Sequence, residues 1–257
     1  MTTDTNSPQP RYAVYYAPPR SSGLWQLAQS WLGRDCESGD ILERPALDGL
    51  SAEEAEAATR SPRHYGFHAT LKAPFRLAPG ASLRRLHDSL TGFAAGRQAF
   101  VAPPLKVSAI GSFLALTLST PSPEMESLAA AAVQDLDDLR ALPTEGDLQR
   151  RLAGGLSPRQ EELLRAWGYP YVLDEFRFHM TLTGPIADQG RREILQTKLA
   201  ALFRPLLADP VPVGEICLYS QDSAEMPFTL VDRFRFGAAA TASVEGSADS
   251  VEGPAIS

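Results

Sequence analysis

Cysteine is nearly absent from this chain: Cys36 and Cys217 are its only two among 257 residues, far apart and in no C-x-x-C spacing. A disulfide framework or a thiolate zinc site is therefore not expected, and a reducing compartment is. Positive charge is also scarce. The 24 Lys and Arg face 31 Asp and Glu, giving a formal charge of −7 and a pI near 5.2. Binding long nucleic acid calls for a broad basic surface, so the balance argues against that class. It leaves room for a small anion, because a local cationic pocket can sit on an acidic protein. No apolar run approaches the ~20 residues that span a bilayer. Met1 to Pro10 is polar and lacks the apolar stretch of a signal peptide. The sequence predicts a cytoplasmic location with no membrane partner, and it is silent on oligomeric state.

What the chain does contain is ordinary in bulk, 44% hydrophobic and 21% charged, with length enough for one large domain or two small lobes. Its distinctive content is two short stretches that echo each other. His68-Ala69-Thr70-Leu71 follows Phe67, and His179-Met180-Thr181-Leu182 follows Phe178. Each runs into a proline-containing exit, Ala73-Pro74-Phe75 and Gly184-Pro185-Ile186. Aromatic and β-branched content reads as strand over Tyr65 to Phe75 and Phe176 to Leu182. On a strand, residues i and i+2 share a face. Each copy thus carries an imidazole and a hydroxyl on one face and apolar side chains on the other.

The surrounding pattern repeats too. A strand is expected at Arg11 to Ala17, a helix from Leu24 to about Gly33, and a short helix at Ser51 to Thr59 behind a capping-box pattern. After the first motif come a helix over Ser82 to about Ala95 and strands near Leu105 to Ile110 and Phe113 to Ser119, joined by Gly111-Ser112. Helices at Glu124 to Leu142 and Ser157 to Trp167 lead to the second motif. A helix at about Arg191 to Phe203 and strands near Gly214 to Tyr219 and Phe228 to Phe236 complete it. His68 and Ser108 are 40 positions apart (108 − 68), as are His179 and Tyr219 (219 − 179). The expected organisation is an internal duplication: a polar tail (1–10), one bilobal domain (11–236), and a tail rich in small and acidic residues (237–257) that reads as disordered. Within the domain the halves fall at about 11–120 and 169–236, with a helical insertion at about 121–168.

Duplicated lobes commonly pack about a pseudo-twofold axis, which would bring the two His-x-Thr faces into one cleft. Two imidazoles suit general acid–base chemistry, one neutral to take a proton and one protonated to give it. The hydroxyls of Thr70 and Thr181 can donate to anionic oxygens. A cyclic phosphodiester matches: its attacking water must lose a proton and its leaving alkoxide must gain one. By strand parity Lys72 and Arg177 also face the cleft, where either would balance phosphate charge. No cofactor or metal is expected; Asp174-Glu175 near His179 has no counterpart in the first copy.

Paired H-x-T strands in a duplicated α+β chain resemble the 2H phosphoesterase superfamily. YGFHATLKAPFRL and WGYPYVLDEFRFHMTLTGP further resemble its branch associated with phosphonate-degradation genes. The resemblance covers about residues 11 to 236. It implies a bilobal α+β fold with antiparallel sheets around a central cleft and helices outside. It also implies His68, Thr70, His179 and Thr181 as the catalytic set, and metal-free chemistry on a small cyclic phosphate of a sugar or nucleotide, 2′,3′ or 1,2. Two alternatives remain at this level: a ligase joining 2′,3′-cyclic phosphate ends, and a non-catalytic binder of a phosphorylated metabolite. Of the other histidines, His64 reads as rim and His87 as exposed helix surface. Trp25 and Trp31 read as core, and the sequence leaves open which of Tyr12, Tyr15 and Tyr16 reaches the cleft.

Overall fold

The computed structural model describes residues 9–237; the first eight residues and those from 238 on, where most of both expected tails fall, lie outside the described residues. The chain enters through strand β1 (Arg11–Tyr16), which Pro18-Pro19 ends. Helix α1 (Gly23–Leu32) follows: the Ser22 hydroxyl accepts from the Trp25 amide, and Gly33 closes the other end at φ 76°. Helix α2 (Ala52–Tyr65) has the capping box expected at Ser51 and Glu54, but it runs to Tyr65. Pro62 sits in its last turn, and the Gly66 amide bonds to the Pro62 carbonyl. Tyr65 is therefore the end of a helix, and strand β2 (Ala69–Phe75) begins later than the residue pattern suggested.

Helix α3 (Leu83–Ala95) is capped by Ser82 and buries Leu86, Leu90 and Phe93, with Leu83 outside. Strands β3 (Phe100–Ala102), β4 (Leu105–Ile110) and β5 (Phe113–Leu118) come next. Helices α4 (Pro123–Asp135), α5 (Glu145–Leu152) and α6 (Pro158–Trp167) precede the short strand β6 (Met180–Thr181). Helix α7 (Gln189–Leu207) and strands β7 (Val211–Val213), β8 (Glu215–Gln221) and β9 (Thr229–Arg235) complete the described chain.

The α+β class with antiparallel sheets is the one the sequence predicted. Seven strands form one sheet in the order β4-β5-β6-β2-β1-β8-β9, and β3 pairs with β7 in a second. All the pairings are antiparallel. The register exposes the symmetry. Ala69 faces Met180 at the centre of the large sheet, and Val101 faces Pro212 at the centre of the small one. Both pairs are 111 positions apart (180 − 69, 212 − 101), the offset that also relates the two histidines (179 − 68). A pseudo-twofold axis through these two pairs exchanges β2 with β6, β3 with β7, β4 with β8 and α3 with α7. The strand beside β2 is β1 and the strand beside β6 is β5, so the repeats divide at the Gly111-Ser112 turn. On this division α4 to α6 hold the place in the second repeat that α1 and α2 hold in the first, and β9 has no counterpart.

One face of the large sheet carries the main core, with Val14, Ala69, Leu71, Met180 and Leu182 packed against Trp31, Leu86, Met125 and Leu199. The other face has a small buried cluster around Tyr15, Trp25, Tyr219 and Phe228. Cys36 and Cys217 are buried free thiols in this region. No described helix is long and apolar enough to cross a membrane.

Candidate active site

The pairing of Ala69 with Met180 fixes what lies beside it. Antiparallel neighbours on either side of that pair are His68 with Thr181 and Thr70 with His179. All four point to the face opposite Ala69 and Met180, so the two His-x-Thr faces meet as one patch on adjacent strands. They line a single cavity of about 360 Å³ together with Tyr15, Tyr169 and Arg151. A second lobe of about 460 Å³ continues past Thr70, Phe113 and His179 toward Tyr171, Phe176 and Arg177.

Both imidazoles are held in the same way. His68 Nδ1 lies 2.9 Å from the Gly66 carbonyl, and His179 Nδ1 lies 2.8 Å from the Arg177 carbonyl. A carbonyl can only accept, so Nδ1 carries the proton in each, and the neutral ring has its lone pair on Nε2. The surroundings then differ. His68 stacks on Tyr15 with ring centroids 3.7 Å apart and planes 14° apart, and Tyr219 stands 5.9 Å away. This enclosure, with a lesser contribution from His179, pushes the His68 pKa down to about 4, against the opposing hydrogen bond to Gly66. His179 meets only a tilted Phe113 ring at 5.9 Å and lines both lobes of the cavity.

The local sequence explains the setting. Gly66 ends α2 at φ 77°, and a Cβ there would come 2.6 Å from Cys36 Cβ. The turn it makes aims its carbonyl at His68. Near the second motif the ladder is only two residues long, because Leu182 and Thr183 amides both bond to the Leu114 carbonyl while Thr183 Oγ1 accepts from the Leu114 amide. Phe176 to Phe178 lie outside any ladder, so the strand expected from Phe176 shrinks to Met180–Thr181.

Lys72 departs from its expected place. Tyr15 pairs with Thr70 but Val14 pairs with Lys72, so β2 carries one extra residue at Leu71. A bulge inverts the strand's parity. Lys72 therefore turns onto the core side with Val14, 3% exposed, where Nζ donates to the Val133 carbonyl (2.8 Å) and Asp137 Oδ1 (3.0 Å). It fastens α4 to the sheet and does not line the cleft. Arg177 is exposed on the outer lobe beside His179. The cationic groups of the inner cavity are Arg11 and Arg151. Nothing in the strand pattern marks Arg11, and Arg151 belongs to α5, which lies between the two helices expected at Glu124 to Leu142 and Ser157 to Trp167. The first-strand tyrosine that reaches the cleft is Tyr15; Tyr12 and Tyr16 pack in the main core. His64 accepts from Gln221 Nε2 at 2.9 Å and lies off the cavity, and His87 pairs with Asp232 at the surface. Asp174 is engaged by Arg159 and Glu175 by Gln160.

Two H-x-T strands joined across a pseudo-twofold in a duplicated α+β chain are the architecture and motif set of the 2H phosphoesterases. Within that class, residues 70–229 match the family described as "Protein of unknown function (DUF1045)", and the chain belongs to this family. It is 35% identical over 229 residues to the ribose 1,5-bisphosphate phosphokinase PhnN of Janthinobacterium sp. (strain Marseille), covering 88% of this chain and 51% of that protein. It is 39% identical over 222 residues to the protein of the same name from Laribacter hongkongensis (strain HLHK9), covering 86% and 50%. The chain spans about half the length of the curated relatives it matches. Among solved structures, E. coli LigT in apo form aligns over 90% of this chain and 98% of its own at 13% identity and a TM-score of 0.40. LigT complexed with 3′-AMP aligns over 89% and 98% at 14% and 0.38.

Proposed function

We propose that the chain is a metal-independent phosphoesterase that hydrolyses a small cyclic phosphodiester of a sugar or nucleotide, within phosphonate metabolism. One observation carries the reading: the register that sets His68 beside Thr181 and Thr70 beside His179 on one face of one cavity. The relatives' names supply the metabolic setting and point to a ribose phosphate as the substrate's core. Their phosphokinase activity has no phosphate-loop motif, G-x-x-x-x-G-K-[ST], to carry it in these 257 residues.

In this reading the neutral His68 is the base. Water attacks phosphorus and its proton passes to His68 Nε2. The bond from phosphorus to the ring oxygen breaks, and His179 gives that alkoxide a proton. The Thr70 and Thr181 hydroxyls donate to the non-bridging oxygens as their charge grows. Bound phosphate favours imidazolium, which raises His68 toward the working pH once substrate is in place. Among the described residues no three His, Cys, Asp or Glu side chains gather in a metal-ligating group.

The test is turnover of ribose 1,2-cyclic and nucleoside 2′,3′-cyclic phosphates, followed by phosphorus NMR. His68→Ala and His179→Ala should each lower kcat by at least ~10²-fold while remaining folded, the usual scale for losing a general acid or base. Near-normal turnover by either folded variant would remove the two-histidine mechanism. Activity should also survive EDTA; loss restored by a divalent ion would show that a metal takes part. Binding of these ligands without any turnover would instead identify a binding protein.

A further inference from the structure

The inner cavity holds more positive charge than a cyclic phosphodiester needs. Its lining includes two arginines and two histidines and no Asp or Glu. Most of the protein's other arginines with polar contacts are tied to carboxylates, as Arg150 is to Asp147 and Arg159 to Asp174. Arg11 and Arg151 are held by neutral groups. Arg11 Nε and Nη2 both donate to Gln221 Oε1, its partner across the β1–β8 ladder, and its Cζ lies 5.5 Å from the centre of the Phe228 ring. Arg151 Nη1 donates to the Gly168 carbonyl at 2.7 Å, with Cζ 5.3 Å from the Tyr169 ring. Among the described residues neither forms an ion pair. Both guanidinium groups are thus fixed in place with their charge unneutralised and donors to spare.

Neither arginine hydrogen-bonds to His68 or His179. The Phe228 ring is 6.5 Å from Tyr15, and Tyr15 is the ring stacked on His68. Arg11 lies against Phe228, the ring next to Tyr15. A cyclic diester carries one negative charge, matched by one imidazolium. Two arginines in the same cavity match a dianion. A phosphomonoester has that charge near neutral pH and presents the oxygens that guanidinium groups engage in pairs.

We propose that Arg11 and Arg151 form a second anion subsite, which binds a phosphomonoester carried by the substrate at the end remote from the cyclic phosphate. The proposal rests on the phosphoesterase reading for the identity of the first subsite, and it makes the substrate doubly phosphorylated. The carrier is a five-carbon sugar or a nucleoside, since both present two phosphates at suitable ends.

Isothermal titration calorimetry tests this without turnover, using ribose 5-phosphate, ribose 1,5-bisphosphate, adenosine 3′-phosphate and adenosine 3′,5′-bisphosphate. In at least one pair the bisphosphate should bind at least ~30-fold more tightly than its monophosphate, the scale of charge-assisted hydrogen bonds. The pair showing the larger ratio identifies the carrier. Arg11→Gln with Arg151→Gln should shrink that ratio to within about 3-fold, Arg151→Lys should restore part of it, and His87→Ala, at the surface outside the cavity, should leave the preference in place. Equal affinity for one and two phosphates in the wild type overturns the proposal. So does an arginine variant, shown folded by circular dichroism, that keeps the full ratio. Turnover lost in His68→Ala alongside equal affinities would overturn the subsite and leave the phosphoesterase standing. An arginine-dependent preference without turnover would support the subsite and remove the hydrolase.

Discussion

His68 and His179 occupy one position in two repeats, yet their neighbours give them different chemistry. Each is oriented by the carbonyl two residues upstream, so the backbone sets the tautomer in both. Tyr15 and Tyr219 then crowd His68, part of whose ring still faces the cavity, and the desolvation keeps it neutral down to about pH 4. That asymmetry is the basis for casting His68 as base. A free base loses activity when protonated, so the acid limb of kcat/KM should have its midpoint near pH 4, well below an ordinary histidine's ~6.5. Bound phosphate should move the corresponding limb of kcat to higher pH. A pH series on wild-type protein measures both, and an acid limb at 6.5 in kcat/KM would reverse the assignment of base and acid.

At the scale of elements, the α2–β2 junction does the positioning. Pro62 and Gly66 end the helix and turn the chain so that two residues later His68 enters the sheet. Gly66 has φ 77° and ψ 173°, open to glycine alone, and a methyl group there would lie 2.6 Å from Cys36 Cβ and 2.7 Å from its sulfur. Gly66→Ala should therefore destabilise the fold by more than ~2 kcal/mol, from strain and overpacking together. It should also lower kcat, because the carbonyl that holds His68 Nδ1 belongs to the same residue. Urea unfolding and turnover read the two effects, and an unchanged midpoint would show that the junction relaxes freely. Five residues further on, the Leu71 bulge reverses the parity of β2 and sends Lys72 to Asp137. The same strand thus supplies the site with Thr70, with His68 just before its start, and the core with a buried ion pair.

For the molecule as a whole, a neutral histidine held in the sheet couples stability to acid. Above about pH 6.5 His68 is neutral in both folded and unfolded chains, and its full contribution is present. As pH falls from 6.5 toward 4, the unfolded chain takes up the proton and the folded one resists. The loss across that window is on the order of 3 kcal/mol. Carboxylates titrate there too, so the measurement is a difference. His68→Phe keeps a ring against Tyr15 but cannot titrate, and its denaturation midpoint should fall less than the wild type's between pH 6.5 and 4.5. Parallel slopes would mean that His68 is not the group responsible.

The two motifs, their shared offset and the helix–strand order around them were legible in the chain because they are local. A period of two, a capping serine or a turn glycine acts over a few residues, and a duplication writes the same local signals twice. The α+β class followed from that order, as did the core placement of Trp25 and Trp31. Long-range pairing decided the rest. The seating of Ala69 opposite Met180 brought the two polar faces together, and no residue near either motif encodes that contact. The three-residue strands β3 and β7 are too short to carry a period and exist because they pair. The turn of Lys72 to the core came from a bulge fixed by β1, and Tyr15 was chosen over its neighbours by the face of the sheet that β1 presents. Arg11 and Arg151 lie 140 positions apart (151 − 11) and share a cavity only after the sheet and α5 are in place. Sequence determined which chemical groups each repeat could offer, since side-chain identity and strand parity are local. Tertiary structure determined which of them face one substrate, since that depends on contacts between residues the chain holds far apart.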